Sequence, residues 1–192
     1  ATTIADSYNN LGNCWLESGD YTRSIDYFQL ALELYRTPLS EDNLAVAQVA
    51  ANLGNAYLAF GDAQNALNQL QLAYLIIAQQ MGETAPNLIP VLMNQGLAYG
   101  QLGLYEPAQT AFEQAIKNIL SHLGEKHPFL VTAYNNLGNL NYQQGAYAKA
   151  TQSYQKALKK IQQAEAIDPK ENATCLMNLG NCAYEQGRYE QA

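Results

Sequence analysis

Five asparagines return at one interval along this chain: Asn10, Asn52, Asn94, Asn136 and Asn178, each 42 residues after the one before. A carboxamide carries one acceptor and two donors, so a single side chain can pair with both the N–H and the C=O of a peptide main chain. Asn13, Asn55, Asn139 and Asn181 form a second row three residues further on, interrupted by Leu97, and in a helix that spacing keeps both rows on one face. The competing use is internal, since the same amide can bond to the neighbouring unit and fix the spacing of repeats. Asparagine in a helix interior costs up to about 0.7 kcal/mol relative to alanine, and either role would offset that cost.

No other group of residues points to chemistry. His122 and His127 flank Gly124 and Pro128, a spacing that does not bring two imidazoles to one helical face for a metal, and they read as loop histidines. Cys14 and Cys182 occupy the same place in their repeats with no histidine beside them, which suits small packing residues better than nucleophiles. Cys175 and Cys182 are two helical turns apart, about 10 Å by helix rise, too far to bridge within one helix. The glycines follow no predicted strand, so none forms a phosphate loop. The expectation is a protein that is not an enzyme and needs neither metal nor cofactor.

Composition narrows the partners. Net charge is −7 and the ten Lys and Arg residues are scattered, which argues against nucleic acid and against anionic membrane, because both are gripped by clustered cations. Charged residues are only 14% of the chain, so amides must wet much of the surface and long-range steering by charge is weak. An odd number of cysteines and the absence of a transmembrane-length apolar run or a signal peptide favour the cytoplasm. The chain does not begin with Met, so its natural start is expected to lie elsewhere.

The asparagines sit in a phrase that repeats with them. Asn10-Leu11-Gly12-Asn13 returns at 52–55, 136–139 and 178–181, with a degraded copy, Asn94-Gln95-Gly96-Leu97. A second glycine follows seven residues after the first, at Gly19, Gly61, Gly103, Gly145 and Gly187. A strict period of this size marks a solenoid whose units touch only their neighbours. In each unit an apolar-periodic segment such as 46–60 ends on the second glycine, a left-handed helix stop. Another segment then begins at Tyr21, Ala63, Tyr105, Tyr147 or Tyr189, with stripes such as Phe28, Ala31, Leu32, Tyr35 and Phe112, Ala115, Ile116, Ile119 at amphipathic helical spacing. Each unit is thus a helical hairpin. Ser24, Ala66, Ala108 and Ala150, with Ala31, Ala73, Ala115 and Ala157, let the helices approach closely. Loops with Pro38, Pro86, Pro128 and Pro169 separate the hairpins, and their polar neighbours are expected to cap the next helix.

These residues carry a resemblance. The chain resembles the tetratricopeptide repeat family over its whole length, through Tyr8, Leu11, Gly12, Trp15, Phe28 and Ala31 in the first repeat and Gly96, Tyr99, Ala108, Phe112 and Ala115 in the third. The family's usual period is about 34, and the longer period here, with Leu123-Gly124-Glu125-Lys126-His127-Pro128 between repeats, resembles the kinesin light chain subgroup. The Leu-Gly-Asn tripeptide also resembles the mitotic-spindle adaptor named for it. The resemblance implies an all-α, right-handed superhelical solenoid, a single array with repeats at about 5–46, 47–88, 89–130 and 131–172 and a truncated fifth at 173–192. Ending inside a repeat, it is expected to be a fragment of a longer protein.

The resemblance further implies that the first helices line a concave face. The family's inward positions map onto Asp6, Asn9, Asn10, Asn13, Leu16 and Glu17 in repeat one, and Gln48, Ala51, Asn52, Asn55, Leu58 and Ala59 in repeat two. In repeat three they are Pro90, Met93, Asn94, Leu97, Gly100 and Gln101. Repeat four gives Thr132, Asn135, Asn136, Asn139, Tyr142 and Gln143, and repeat five Thr174, Met177, Asn178, Asn181, Tyr184 and Glu185. Asparagine ladders in superhelical relatives hold extended peptides by the main chain. With units stacked roughly 10 Å apart and a strand advancing about 3.3 Å per residue, such a ladder meets about every third residue of its ligand. Leu16, Leu58, Tyr142 and Tyr184 would offer apolar pockets, while Trp15, Tyr57 and Tyr99 are expected in the core. No Lys or Arg is among the inward positions, so the carboxylate clamp of chaperone-binding relatives is missing and an extended, neutral to basic peptide fits better than an acidic tail. The expected function is a protein-interaction scaffold. Its alternative is a regulatory or sensory arm of a larger enzyme or transcriptional regulator, and a third reading is self-association through the unpaired face of the last helix.

Overall fold

The computed structural model describes residues 2–36, 44–163 and 169–187, and every regular element among them is an α-helix. In order these are α1 (Thr2–Ser18), α2 (Tyr21–Arg36), α3 (Leu44–Phe60), α4 (Ala63–Met81), α5 (Leu88–Gln101), α6 (Tyr105–His122), α7 (Phe129–Gln143), α8 (Tyr147–Gln162) and α9 (Pro169–Glu185). Pro38, Tyr189 and the second helix expected in repeat five lie outside the described residues. The chain divides into two compact units, Ala1–Leu104 and Tyr105–Ala192. In the first, the hairpins α1/α2 and α3/α4 pack in sequence and α5 packs on α4. In the second, α6 packs on α7, α7 and α8 form a hairpin, and α9 packs on α8. No helix among the described residues is long and apolar enough to cross a membrane.

The second glycine of each phrase ends the first helix as its position predicts. Gly19, Gly61, Gly103, Gly145 and Gly187 have φ of 82, 93, 72, 70 and 71°, a left-handed conformation that costs glycine nothing. It turns the next N–H back onto the helix, with Asp62 N–H donating to Tyr57 O at 2.9 Å and Ala146 N–H to Asn141 O at 2.9 Å. The second helices then start at Tyr21, Ala63, Tyr105 and Tyr147, the residues at which the apolar period restarts.

The first glycine of the phrase does different work. A Cβ on Gly12 would lie 2.6 Å from the Phe28 ring, one on Gly54 2.7 Å from Leu70, and one on Gly138 2.5 Å from the Tyr154 ring. Each glycine is therefore a seat for the large side chain of the facing helix. The small residues of the second helices, Ala31, Ala66, Ala73, Ala108, Ala115, Ala150, Ala157 and Ser24, are all completely buried, as close helix approach demands. Ser24 is tolerated because its Oγ–H donates to Gly12 O at 2.8 Å, so no buried hydroxyl is left unpaired.

Two expectations are corrected. Among the described residues, the polar neighbours of the loop prolines do not serve as caps before α5, and before α7 only His127 does: Asn87 and Pro128 stand at the cap positions without a side-chain bond, and Phe129 N–H donates instead to His127 Nδ1 at 3.2 Å. There the first N–H groups are taken by tight backbone turns, such as Leu88 N–H to Ala85 O at 3.0 Å and Leu130 N–H to His127 O at 3.1 Å. Side-chain caps appear instead at the turn inside the hairpin, where Asp20 accepts from Arg23 N–H and Asp62 from Asn65 N–H, each at 3.1 Å. The second correction concerns Trp15, Tyr57 and Tyr99, which are half-buried and not core. They lie in the last turns of their helices, where polar tips and cations reach them: the Arg23 guanidinium stacks 4.5 Å from the Trp15 ring, and Gln29 and Gln71 donate to the hydroxyls of Tyr57 and Tyr99 at 2.9 and 3.5 Å.

Candidate functional site

The first row of asparagines is half-buried and the second exposed in every repeat but the first, where the two are exchanged. Asn10, Asn55, Asn139 and Asn181 are exposed, whereas Asn13, Asn52, Asn94, Asn136 and Asn178 are half-buried. In the first unit, Asn52 on α3 donates from Nδ2 to Asn9 Oδ1 on α1 at 3.0 Å. That rung ties one repeat to the next, so at Asn52 the internal use of the amide is realised. The second unit places Asn178 and Asn135 in the same register, but Asn135 Oδ1 is buried without a hydrogen bond and Asn178 makes none to any described residue.

The reason is the spacing of the first helices. α3 touches α1 and α5, while α7 and α9 hardly meet. The space left between them is a cleft of about 190 Å³ lined by Asn139, Tyr142, Gln143, Tyr154, Asn178 and Asn181. Five of these six are positions that the resemblance assigned to the inward face. The sixth, Tyr154, comes from α8 and was missed. Its position in the repeat is that of Phe28, Leu70 and Phe112, so the signal was legible as a phenol where the other repeats carry no polar atom.

Tyr154 is 2% exposed and its ring lies on Gly138, so its hydroxyl passes the α7 backbone and donates to Asn139 Oδ1 at 2.7 Å. Burial, then the neighbouring Cys182, Tyr142 and Cys175, push its phenol well above the ordinary tyrosine range, so it stays protonated at neutral pH. At the rim the Tyr142 hydroxyl donates to Glu185 Oε1 at 3.5 Å and its ring meets Tyr147 edge-on, centroids 5.2 Å apart. No residue lining the cleft carries a charge.

The remaining expected contacts separate. Leu16 is half-buried, but Leu58, 9% exposed, is packed into the first unit and closed to a ligand, because the neighbouring helices cover it. Tyr184 is 62% exposed and stands apart from the cleft. Met93 is buried as helix filler and Met177 exposed. Cys182 is buried among Tyr154, Ala150 and Ile161, whereas its counterpart Cys14 is exposed. Burial pushes the thiols of Cys175 and Cys182 up, and the Cys175 Sγ–H donates to Tyr154 O at 3.1 Å. His127 accepts from Phe129 N–H at 3.2 Å, its ring 4.7 Å from the phenyl, and His122 ends α6.

Comparison with known proteins agrees with this architecture. Tetratricopeptide repeat profiles match residues 3–74 and 132–192, and another matches 89–122. No curated protein is a match. Among solved structures, BtubC (BKLC) from P. vanneervenii superposes with a TM-score of 0.84 at 22% identity, over 100% of this chain and 76% of that one. A Podosopora anserina protein assigned to the kinesin light chains, with nearly identical TPR-like repeats, gives 0.83 at 15% identity, over 100% and 90%. MamA gives 0.66 at 17% identity, over 100% and 87%. At these identities the likeness shows the fold.

Proposed function

We propose that this chain, which belongs to the tetratricopeptide repeat family, is a scaffold that holds an extended peptide segment against the amide face of its first helices. Repeats of this family generally mediate protein–protein interaction, and their stacked first helices form extended binding surfaces. The observation that supports peptide capture here is the uncharged, amide-rich cleft between α7 and α9. Amides that bond neither to neighbouring repeats nor to their own helix are available to a ligand main chain. Asn10, Asn13, Asn55, Asn94, Asn136, Asn178 and Asn181 are the contacts proposed, with Asn139 offering its NH₂ group beside its bond to Tyr154 and Asn52 shared between ligand and repeat spacing. Leu16 and Tyr142 add apolar surface. The scaffold is non-catalytic and acts in the cytoplasm.

The test begins with a display library of random extended peptides selected on the full 192-residue chain. The affinity of a recovered peptide is then measured against wild type and the Asn10→Ala, Asn52→Ala, Asn136→Ala, Asn178→Ala quadruple variant. Binding should fall by more than about tenfold, since each lost amide contact removes roughly 0.5–1.5 kcal/mol. A folded variant that binds as wild type does would sink the proposal.

A further inference from the structure

The cleft between α7 and α9 differs from the rest of the amide face in having a polar floor. Phe28 and Phe112 fill the equivalent positions of repeats one and three, and Leu70 that of repeat two, none of which has a polar side-chain atom. Only Tyr154 sends a hydroxyl past its glycine seat into a cavity. That hydroxyl spends its hydrogen on Asn139 Oδ1, which leaves the phenol oxygen as an acceptor at the base of the cleft. Around it Asn178 and Asn181 each present an uncommitted acceptor and an NH₂ group. At about 190 Å³ the cleft is smaller than the roughly 300–1,000 Å³ of small-molecule sites, which suits a single side chain.

We infer that the cleft seats one carboxamide side chain, glutamine or asparagine, of the bound peptide, and so gives a main-chain-directed surface its sequence choice. This rests on the peptide-binding reading above. The ligand NH₂ donates to the Tyr154 oxygen while the ligand C=O accepts from Asn178 or Asn181, so every polar atom taken from water finds a partner. A glutamate side chain of nearly the same shape has no hydrogen to give the phenol oxygen, and it meets the Glu185 carboxylate held at the rim by Tyr142. A lysine or arginine would surrender hydration in a cleft whose lining holds no counter-charge. An aliphatic side chain would leave the phenol oxygen and the amides desolvated and unpaired.

The experiment uses the display selection on the full chain, followed by synthetic peptides in which the residue of the most strongly selected position is Gln, Glu or Ala. Recovered peptides should share Gln or Asn at one fixed position. Replacement by Ala should weaken binding about fivefold and by Glu more, the size expected for losing one or two neutral hydrogen bonds. In Tyr154→Phe the Gln and Ala peptides should come within about twofold of each other. That variant keeps the fold because phenylalanine already fills the same position in repeats one and three. Asn181→Ala, an exposed change at the rim, should narrow the same gap. Peptides that carry a cation or an aliphatic residue at the fixed position, or a glutamine preference unchanged in both variants, overturn the inference while leaving peptide binding intact. Recovery of no peptide by wild type overturns the binding reading and this inference with it.

Discussion

Gly138 and Tyr154 are two halves of one seat, and the cost of disturbing it can be set against what the helix would gain. Gly138→Ala improves helix propensity by about 1 kcal/mol, but the added Cβ would sit 2.5 Å from a ring that is 2% exposed and has nowhere to go. Overpacking of that kind costs about 1–3 kcal/mol, so the variant should lose stability, read as a lower urea midpoint at an unchanged slope. The position of Tyr35 yields a pH prediction. Burial, then its hydrogen bond to Asp6 and the charge of that carboxylate, raise the phenol to about 12. A group whose folded-state pKa lies above the unfolded value near 10 contributes stability that is intact below about pH 10 and is lost as pH rises through about 12. Tyr35→Phe should therefore be less stable at neutral pH, through loss of the bond, but fall less steeply in urea midpoint between about pH 10 and 12.

Between helices, the Asp of the Gly-Asp turn is the device that repeats one and two possess and repeat four lacks. Asp62 caps α4 through Asn65 N–H, whereas Ala146 precedes α8 with no side-chain bond. Asp62→Ala should cost about 1 kcal/mol and Ala146→Asp should gain about 0.5–1 kcal/mol, both read by thermal or urea denaturation. The sequence showed where helices begin and end because a left-handed glycine and a restarted apolar period are local signals. It did not separate His127, whose side chain takes an N–H of α7, from Asn87, which caps nothing, because a polar residue beside a proline looks the same whether its side chain reaches an N–H or the backbone closes a tight turn first. The first-helix aromatics Trp15, Tyr57 and Tyr99 were placed too deep for a related reason: a spacing pattern gives the face of a helix but not how near its end the neighbouring helix stops. Five of the six cleft residues were readable from the repeat, whereas Tyr154 lies on the second helix, outside the face that the repeat assigns inward.

For the molecule as a whole, a 42-residue repeat copies architecture faithfully and copies chemistry with changes. The two rungs that share a register, Asn9 with Asn52 and Asn135 with Asn178, show this: one is bonded and the other is not. What no periodicity could reveal is the helix separation that decides between them. No Lys or Arg occupies a position that the resemblance assigns to the inward face, so on the proposed function a peptide ending in an acidic tail should show no saturable binding in fluorescence anisotropy at concentrations where a selected neutral peptide saturates. On the proposed function, the mid-helix asparagines serve a ligand at a cost to the fold. Four Asn→Ala changes each recover up to about 0.7 kcal/mol of helix propensity, while the lost Asn52–Asn9 bond takes back about 1 kcal/mol. Calorimetric titration of a selected peptide into the Asn10, Asn52, Asn136 and Asn178 quadruple alanine variant, beside its urea denaturation, tests the claim directly. If the asparagines serve a ligand, the variant should match or exceed wild type in stability while binding weakens more than about tenfold; wild-type affinity in a folded variant, or a large loss of stability with binding kept, would contradict that role.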